Sequence, residues 1–351
     1  MSTPIPPKRL PGRHDGAPLS SIGIGTYLGA DTDEVDALYR ESIARAISLG
    51  INVIDAAINY RSQRSERVIG EVLRSLIATD QLKRESVFVS SKAGYVPYDN
   101  QRPRHYPTYV EDTYIKPGIL RKEELVNGVH CMAPRYLADQ IERSRNNLGL
   151  DTIDLYYLHN PESGMEGLST DEFERRIRGA FEALEVAVTE GKIANYGTAT
   201  WHGYRKPPGV TPHHSLERFV AIAREVGGDH HHFRFVQLPY NLAFIEAFAT
   251  PTQPLSGKLV PLLQAAASLG LTVMASAPLL QGQLVERLPD HVRIALGDGT
   301  DAQRAVQFAR STPGITTALV GMKSVIHVEQ IAEVARSPKV AAETIRELFK
   351  E

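Results

Sequence analysis

Cysteine is nearly missing from this chain of 351 residues: Cys131 stands alone, which excludes an intramolecular disulfide and any zinc site built on paired cysteines. A chain without disulfides suits a reducing compartment, and the expected location is the cytoplasm. Long apolar runs are missing too. No stretch reaches the roughly 18 uninterrupted apolar residues of a membrane span, and residues 1–16 carry Pro, Lys and Arg where a signal peptide needs an apolar core. Net charge is almost absent: 39 basic against 41 acidic residues give a formal charge of -2, with no broad field to attract nucleic acid or an anionic membrane. Neither is expected as a partner. The remaining composition, 42% apolar and 23% charged, is that of a soluble globular chain rather than a disordered or fibrous one.

What is present is an alternation of short β-branched runs with helical stretches. Strand candidates fall at 22–26, 51–54, 87–91, 153–158, 193–197, 233–238, 271–275 and 315–320. The first helix, capped within 31–33, carries Val35, Leu38, Ile43, Ala46 and Ile47 on one face and closes at Gly50; the second opens at Ser65. Further helical patterns occupy 135–148, 172–190, 214–226, 258–269, 301–311, 326–335 and 340–350. Strand-helix units in this number predict an α/β fold, a closed TIM (β/α)8 barrel, as one domain spanning 1–351. Two segments stand outside the rhythm. Residues up to 19 predict an N-terminal arm or hairpin across the barrel bottom, and 93–133, a long insert after the third strand, predicts a lid or binding loop over the mouth.

Asp55 directly follows the second apolar run, Lys92 closes the third and His159 the fourth, while Tyr60 lies in the loop after Asp55. In a parallel barrel the strand C-termini gather at one mouth, so these groups converge although they are distant in sequence. Singly, each has an ordinary explanation: an Asp there caps a helix, a Lys stands in solvent, a His packs into a core. Four such groups at successive strand ends point instead to proton handling at a substrate carbonyl or hydroxyl. The string Gly23-Ile24-Gly25-Thr26-Tyr27-Leu28-Gly29 has GxGxxxG spacing and is not a dinucleotide fingerprint. His213-His214 and His230-His231-His232 have no acidic partners at ligand spacing, so solvated loops are expected there and no metal site. His130-Cys131 reads as a packed loop turn or a substrate contact. Trp201, just past the fifth strand, reads as a substrate-facing wall or as core.

The segment Asn52-Val53-Ile54-Asp55-Ala56-Ala57-Ile58-Asn59-Tyr60, followed by Ser65-Glu66, resembles the aspartate and tyrosine segment of the aldo-keto reductases. Val89-Ser90-Ser91-Lys92 resembles the lysine strand of that family, and Ile153-Asp154-Leu155-Tyr156-Tyr157-Leu158-His159 its histidine strand. Later segments, from Gly191-Lys192-Ile193 through Gln237-Leu238-Pro239-Tyr240 and Ser276-Ala277-Pro278-Leu279 to Val320-Gly321-Met322-Lys323-Ser324, follow the family order over essentially the whole chain.

The resemblance implies hydride transfer between a nicotinamide cofactor and a small aldehyde, ketone or hydroxyl compound. Tyr60 is implied as general acid and base, with Lys92 lowering its pKa from the usual 10 or so, Asp55 holding the lysine and His159 orienting the carbonyl oxygen. Gly25 and Thr26 would touch cofactor ribose, and Tyr27 and Trp201 the substrate. Thr200 and Gln237 would hold the carboxamide, with Ser276, Leu279 and Gly282 along the cofactor. Lys323, Ser324 and His327 would meet the adenosine phosphate, which favours NADP(H) while leaving NAD(H) open. Four positions depart from the pattern, one of them His327, which stands where an Arg is common. Ala199 and Thr200 stand where Ser and Asn are usual, and Ser276 stands where a Tyr stacks on the nicotinamide, which weakens cofactor binding by roughly tens to hundreds of times. Those departures keep two alternatives in view: a lyase, dehydratase or epimerase working through the same Tyr60 and Lys92, and a nucleotide-binding regulatory module.

Overall fold

The computed structural model describes residues 18–349; the expected N-terminal arm lies outside the described residues as far as residue 17. Among the described residues ten strands run in chain order: β1 (Ile22–Gly25), β2 (Val53–Asp55), β3 (Phe88–Ala93), β4 (Leu155–His159), β5 (Tyr196–Ala199), β6 (Phe233–Pro239), β7 (Gln253–Leu255), β8 (Lys258–Val260), β9 (Thr272–Ser276) and β10 (Ile315–Gly321). Eight of them close into a parallel barrel in the order β1-β10-β9-β6-β5-β4-β3-β2. Helices lie between successive barrel strands, giving the (β/α)8 architecture.

The strands read as unbroken apolar runs because both of their faces are buried. Val53, Phe88, Leu155, Tyr157, Phe235, Met274 and Leu319 fill the barrel interior. Their neighbours Ile54, Val89, Tyr156, Leu158 and Val236 face outward into a second core shared with the helices. Burial of each such side chain contributes roughly 1.5–3 kcal/mol, so the barrel is a packed core and not a pore.

Several boundaries differ from the sequence reading. The first helix, Asp33–Ser48, is capped by the Thr32 side chain, within the expected 31–33, and its acidic first turn faces the helix dipole, but it ends at Ser48 with Leu49 and not Gly50 as its cap. Strand β5 starts later than expected because 193–195 contribute one bridge, Ile153 to Ile193, before the ladder begins. The helix expected over 258–269 begins only at Leu262; before it β7 and β8 form an antiparallel hairpin. Ser256 and Gly257, both at positive φ, make its two-residue turn, a geometry in which glycine costs nothing. A further helix, Asp290–Leu296, had no counterpart in the sequence reading.

The segment 93–133 is more ordered than expected. It contains the helix Tyr106–Val110, continued by a wider turn over Glu111–Ile115, and backbone bridges joining His130 to Tyr95 and Val126. Buried Tyr114 sits edge-on to Tyr109 and to Tyr136 of the helix Pro134–Leu148, both at 6.0 Å. This aromatic row fastens the segment to the barrel flank, and of its side chains Tyr95 is the one that reaches the cavity described next.

Candidate active site

Period-two alternation decides which side chains reach the mouth. Two residues beyond the interior positions Val53, Tyr157, Phe235 and Met274, toward the strand C-termini, stand Asp55, His159, Gln237 and Ser276. On β3 the same step leads from Phe88 to Ser90 and then to Lys92. The register sets Asp55 opposite Ser90 and Lys92 opposite Tyr157. A polar layer thus caps the apolar interior.

Lys92 is fully buried, and its Nζ donates to Asp55 Oδ2 at 2.7 Å, to the Ala56 carbonyl at 2.7 Å and to Tyr60 Oη at 3.3 Å. Asp55 Oδ1 accepts from Ser90 Oγ at 2.8 Å and from Gln237 Nε2 at 3.0 Å. Tyr60 meets Tyr27 edge-on at 5.0 Å and His159 at 5.8 Å. His159 also abuts Tyr95 at 5.3 Å, and its carbonyl is bonded by His130 Nε2 at 2.8 Å. The four residues singled out from the sequence therefore meet in one place.

The electrostatics differ from the sequence reading in one respect. Burial raises the Tyr60 phenol well above its usual pKa, and the Asp55 charge adds to the rise. Lys92 was expected to lower it, but its ammonium is already matched by Asp55. Burial in turn lowers Lys92 itself, against the opposing pull of Asp55. His159 is held well below its ordinary value, first by burial and then by Lys92, so its ring is neutral. Burial likewise lowers His130 to about 4.

Above this layer lies a cavity of about 670 Å3. Asp55, Tyr60 and His159 form its floor, with Lys92 beneath them. Gly25, Thr26, Tyr27, Thr200, Trp201, Gln237, Ser276, Leu279, Gly282, Lys323 and His327 line it. Ser324 does not; it precedes the helix Val325–Arg336 without a side-chain cap bond. Gln237, expected to be free for a carboxamide, commits its amide nitrogen to Asp55. Thr200 Oγ1 and Asn59 Oδ1 are buried without a hydrogen-bond partner among the described residues.

A sequence-family model described as the Aldo/keto reductase family matches residues 21–291. The chain belongs to that family. Human aldo-keto reductase family 1 member C2 is 30% identical over 176 residues, covering 50% of this chain and 42% of that protein. Bovine prostaglandin F synthase 1 is 25% identical over 198 residues, covering 54% of this chain and 49% of its own. The chain thus spans about half the length of the curated relatives it matches. Among solved structures, an aldo/keto reductase from Klebsiella pneumoniae in complex with NADP and acetate superposes with a TM-score of 0.63 at 21% identity, covering 95% of this chain and 91% of that one. The holo form of an aldo-keto reductase from Bacillus halodurans gives 0.64 at 19% identity, covering 95% and 94%. At those identities the likeness concerns the fold.

Sequence reasoning missed part of this family member's site. Ser90 is buried against Asp55, and period-two counting back from Lys92 would have found it. Tyr95, Asn160 and Asn59 line the cavity from irregular segments, where no periodicity marks them. Two further expectations are corrected: His214 and His231 are buried, not solvated, with His214 stacked on Phe173 at 5.4 Å. Among the described residues no group of three or more His, Cys, Asp or Glu is placed to hold a metal ion, and no helix is long and apolar enough to cross a membrane.

Proposed function

We propose that this aldo/keto reductase family member is an oxidoreductase that uses NADP(H) to interconvert a small aldehyde or ketone and its alcohol. The observation that carries the reading is the Tyr60 hydroxyl, set at the cavity floor 3.3 Å from a fully buried lysine that Asp55 holds.

Because the Lys92 ammonium donates to Tyr60 Oη, the phenolic proton is left to point elsewhere, and the cavity is where an acceptor would stand. A carbonyl oxygen placed between Tyr60 and His159 takes that proton. Neutral His159 offers one ring N–H to the same oxygen, where negative charge develops as the hydride arrives. As the phenol gives up its proton, the phenolate gains full attraction from Lys92, which has been held ready without reorganisation. Ser90 and Gln237 donate to the other carboxylate oxygen of Asp55 and keep the group aimed at the lysine.

The residues present fit a nicotinamide cofactor. Thr200 Oγ1 is an unpaired buried donor on the cavity wall, suited to a carboxamide oxygen. The turn through Ala277, Leu280, Gln281 and Gly282 runs at positive φ and presents its chain to the cavity. Lys323 and His327 stand exposed at its rim, where a 2′-phosphate would be met. When bound, the nicotinamide supplies the hydride; the protein supplies the proton and the alignment.

Two results are expected. Lys323→Ala weakens NADPH binding by about 3- to 10-fold and leaves NADH nearly unchanged, since an exposed charge–phosphate contact is worth about 1 kcal/mol; fluorescence titration with both nucleotides measures it. The pH dependence follows from the raised Tyr60 pKa: the proton is present below that value and lost above it. Carbonyl reduction therefore stays flat from about pH 7 to 9, while alcohol oxidation, which needs the phenolate, climbs up to about tenfold per pH unit over the same range. Screening carbonyls with NADPH tests the reading as a whole; tight NADPH binding with no turnover of any carbonyl or alcohol would favour a regulatory module instead.

A further inference from the structure

The 3-10 turn Pro161–Gly164, just after His159, carries a carboxylate that the chemistry above does not use. The Glu162 side chain is 6% exposed. Its Oε1 accepts from three consecutive backbone N–H groups, Trp201 at 2.6 Å, His202 at 2.9 Å and Gly203 at 3.4 Å. Successive N–H groups turned toward one point make an anion cradle, and here the anion comes from the neighbouring strand-end loop. The far side is closed by His214, whose Nε2 lies 3.5 Å from Glu162 Oε2 and whose ring stacks on Phe173 at 5.4 Å. Gly203 is required for this closure, because a Cβ there would stand 2.1 Å from the His214 ring. Burial alone would raise the Glu162 carboxyl, but His214 and the backbone donors outweigh it and hold it at about 2.

The turn so gripped opens with Trp201, which lines the cavity. We propose that Glu162 is a positioning residue that fixes Trp201 as the cavity wall, tying the loop after β4 to the loop after β5. This rests on the cavity being the substrate site, but its test does not. A carboxylate gathering three donors holds the turn in one conformation. An amide of the same shape keeps an acceptor oxygen for the three N–H groups but loses the charge that strengthens those bonds, and it sets a neutral NH2 where Oε2 faces His214, so its hold on the turn is weaker.

Trp201 is the sole tryptophan of the chain, so intrinsic fluorescence reports on this position without substitution. In Glu162→Gln, loss of the charge-assisted bonds shifts the turn toward a loosened form by about tenfold or more. The expected readout is red-shifted Trp201 emission and increased acrylamide quenching, at unchanged circular dichroism. His214→Phe keeps the stack on Phe173 and leaves Glu162 its backbone donors, so a smaller change of the same sign is expected; it also serves if Glu162→Gln does not fold. Tyr60→Phe leaves both signals as in the wild type. Unchanged emission and quenching in folded Glu162→Gln, or in folded His214→Phe where the first variant does not fold, overturns the proposal. NADPH titrated into the same samples separates the two readings: failure to bind NADPH bears on the cofactor alone, while a rigid Trp201 in the variant bears on Glu162 alone.

Discussion

Tyr60→Phe is expected to lower carbonyl reduction by about 10²- to 10⁴-fold, the usual worth of a positioned general acid. The substitution removes one oxygen. The ring that meets Tyr27 and His159 edge-on stays, and the Lys92 ammonium keeps Asp55 and the Ala56 carbonyl as acceptors. NADPH affinity and thermal stability should therefore change little, and kcat should carry the loss. Steady-state kinetics beside a fluorescence titration of NADPH separates these quantities. A variant that keeps more than a tenth of the wild-type kcat contradicts the role given to the phenol.

Lys92→Met is expected to abolish turnover and also to destabilise the fold. Lys92 has no exposed surface, and its removal leaves Asp55 buried in the barrel mouth with only Ser90 and Gln237 as donors. Breaking one partner out of a buried ion pair costs about 3–5 kcal/mol. For a chain of this size that lowers Tm by roughly 5–15 °C. The double variant Asp55→Asn, Lys92→Met removes the stranded charge, so stability returns in large part while activity does not. Calorimetry on wild type, single and double variants checks this, and a Lys92→Met protein as stable as the wild type would show that Asp55 is not left charged.

The strands and the strand-end chemistry were legible because they obey one rule. Parallel strands buried on both faces announce themselves as short apolar runs, and Asp55, Lys92 and His159 each stand at the end of one. Convergence then follows from barrel closure alone. What the sequence did not disclose lies in irregular backbone or in competition between partners. Tyr95 is brought to the mouth by a row of tyrosines packed on the helix Pro134–Leu148, a contact with no local signature. Gln237 bonds to Asp55, far away along the chain, and only closure of β6 toward β2 across the interior reveals it. The Tyr60 pKa was misjudged in direction because proximity to an ammonium was weighed and desolvation was not. Likewise His214 looked like loop polarity until its place between Phe173 and Glu162 was seen.

The measurement that bears most directly on the central claim is isotopic. NADPH deuterated at the transferable position of the nicotinamide ring is turned over with a reducible carbonyl in ordinary water, and the product is analysed by mass spectrometry. The account predicts an alcohol carrying one carbon-bound deuterium per molecule, with the hydroxyl proton, delivered through Tyr60, coming from solvent. Product formed without deuterium and without loss of NADPH would show that the Tyr60 and Lys92 pair moves protons in a reaction with no net redox, and would contradict it.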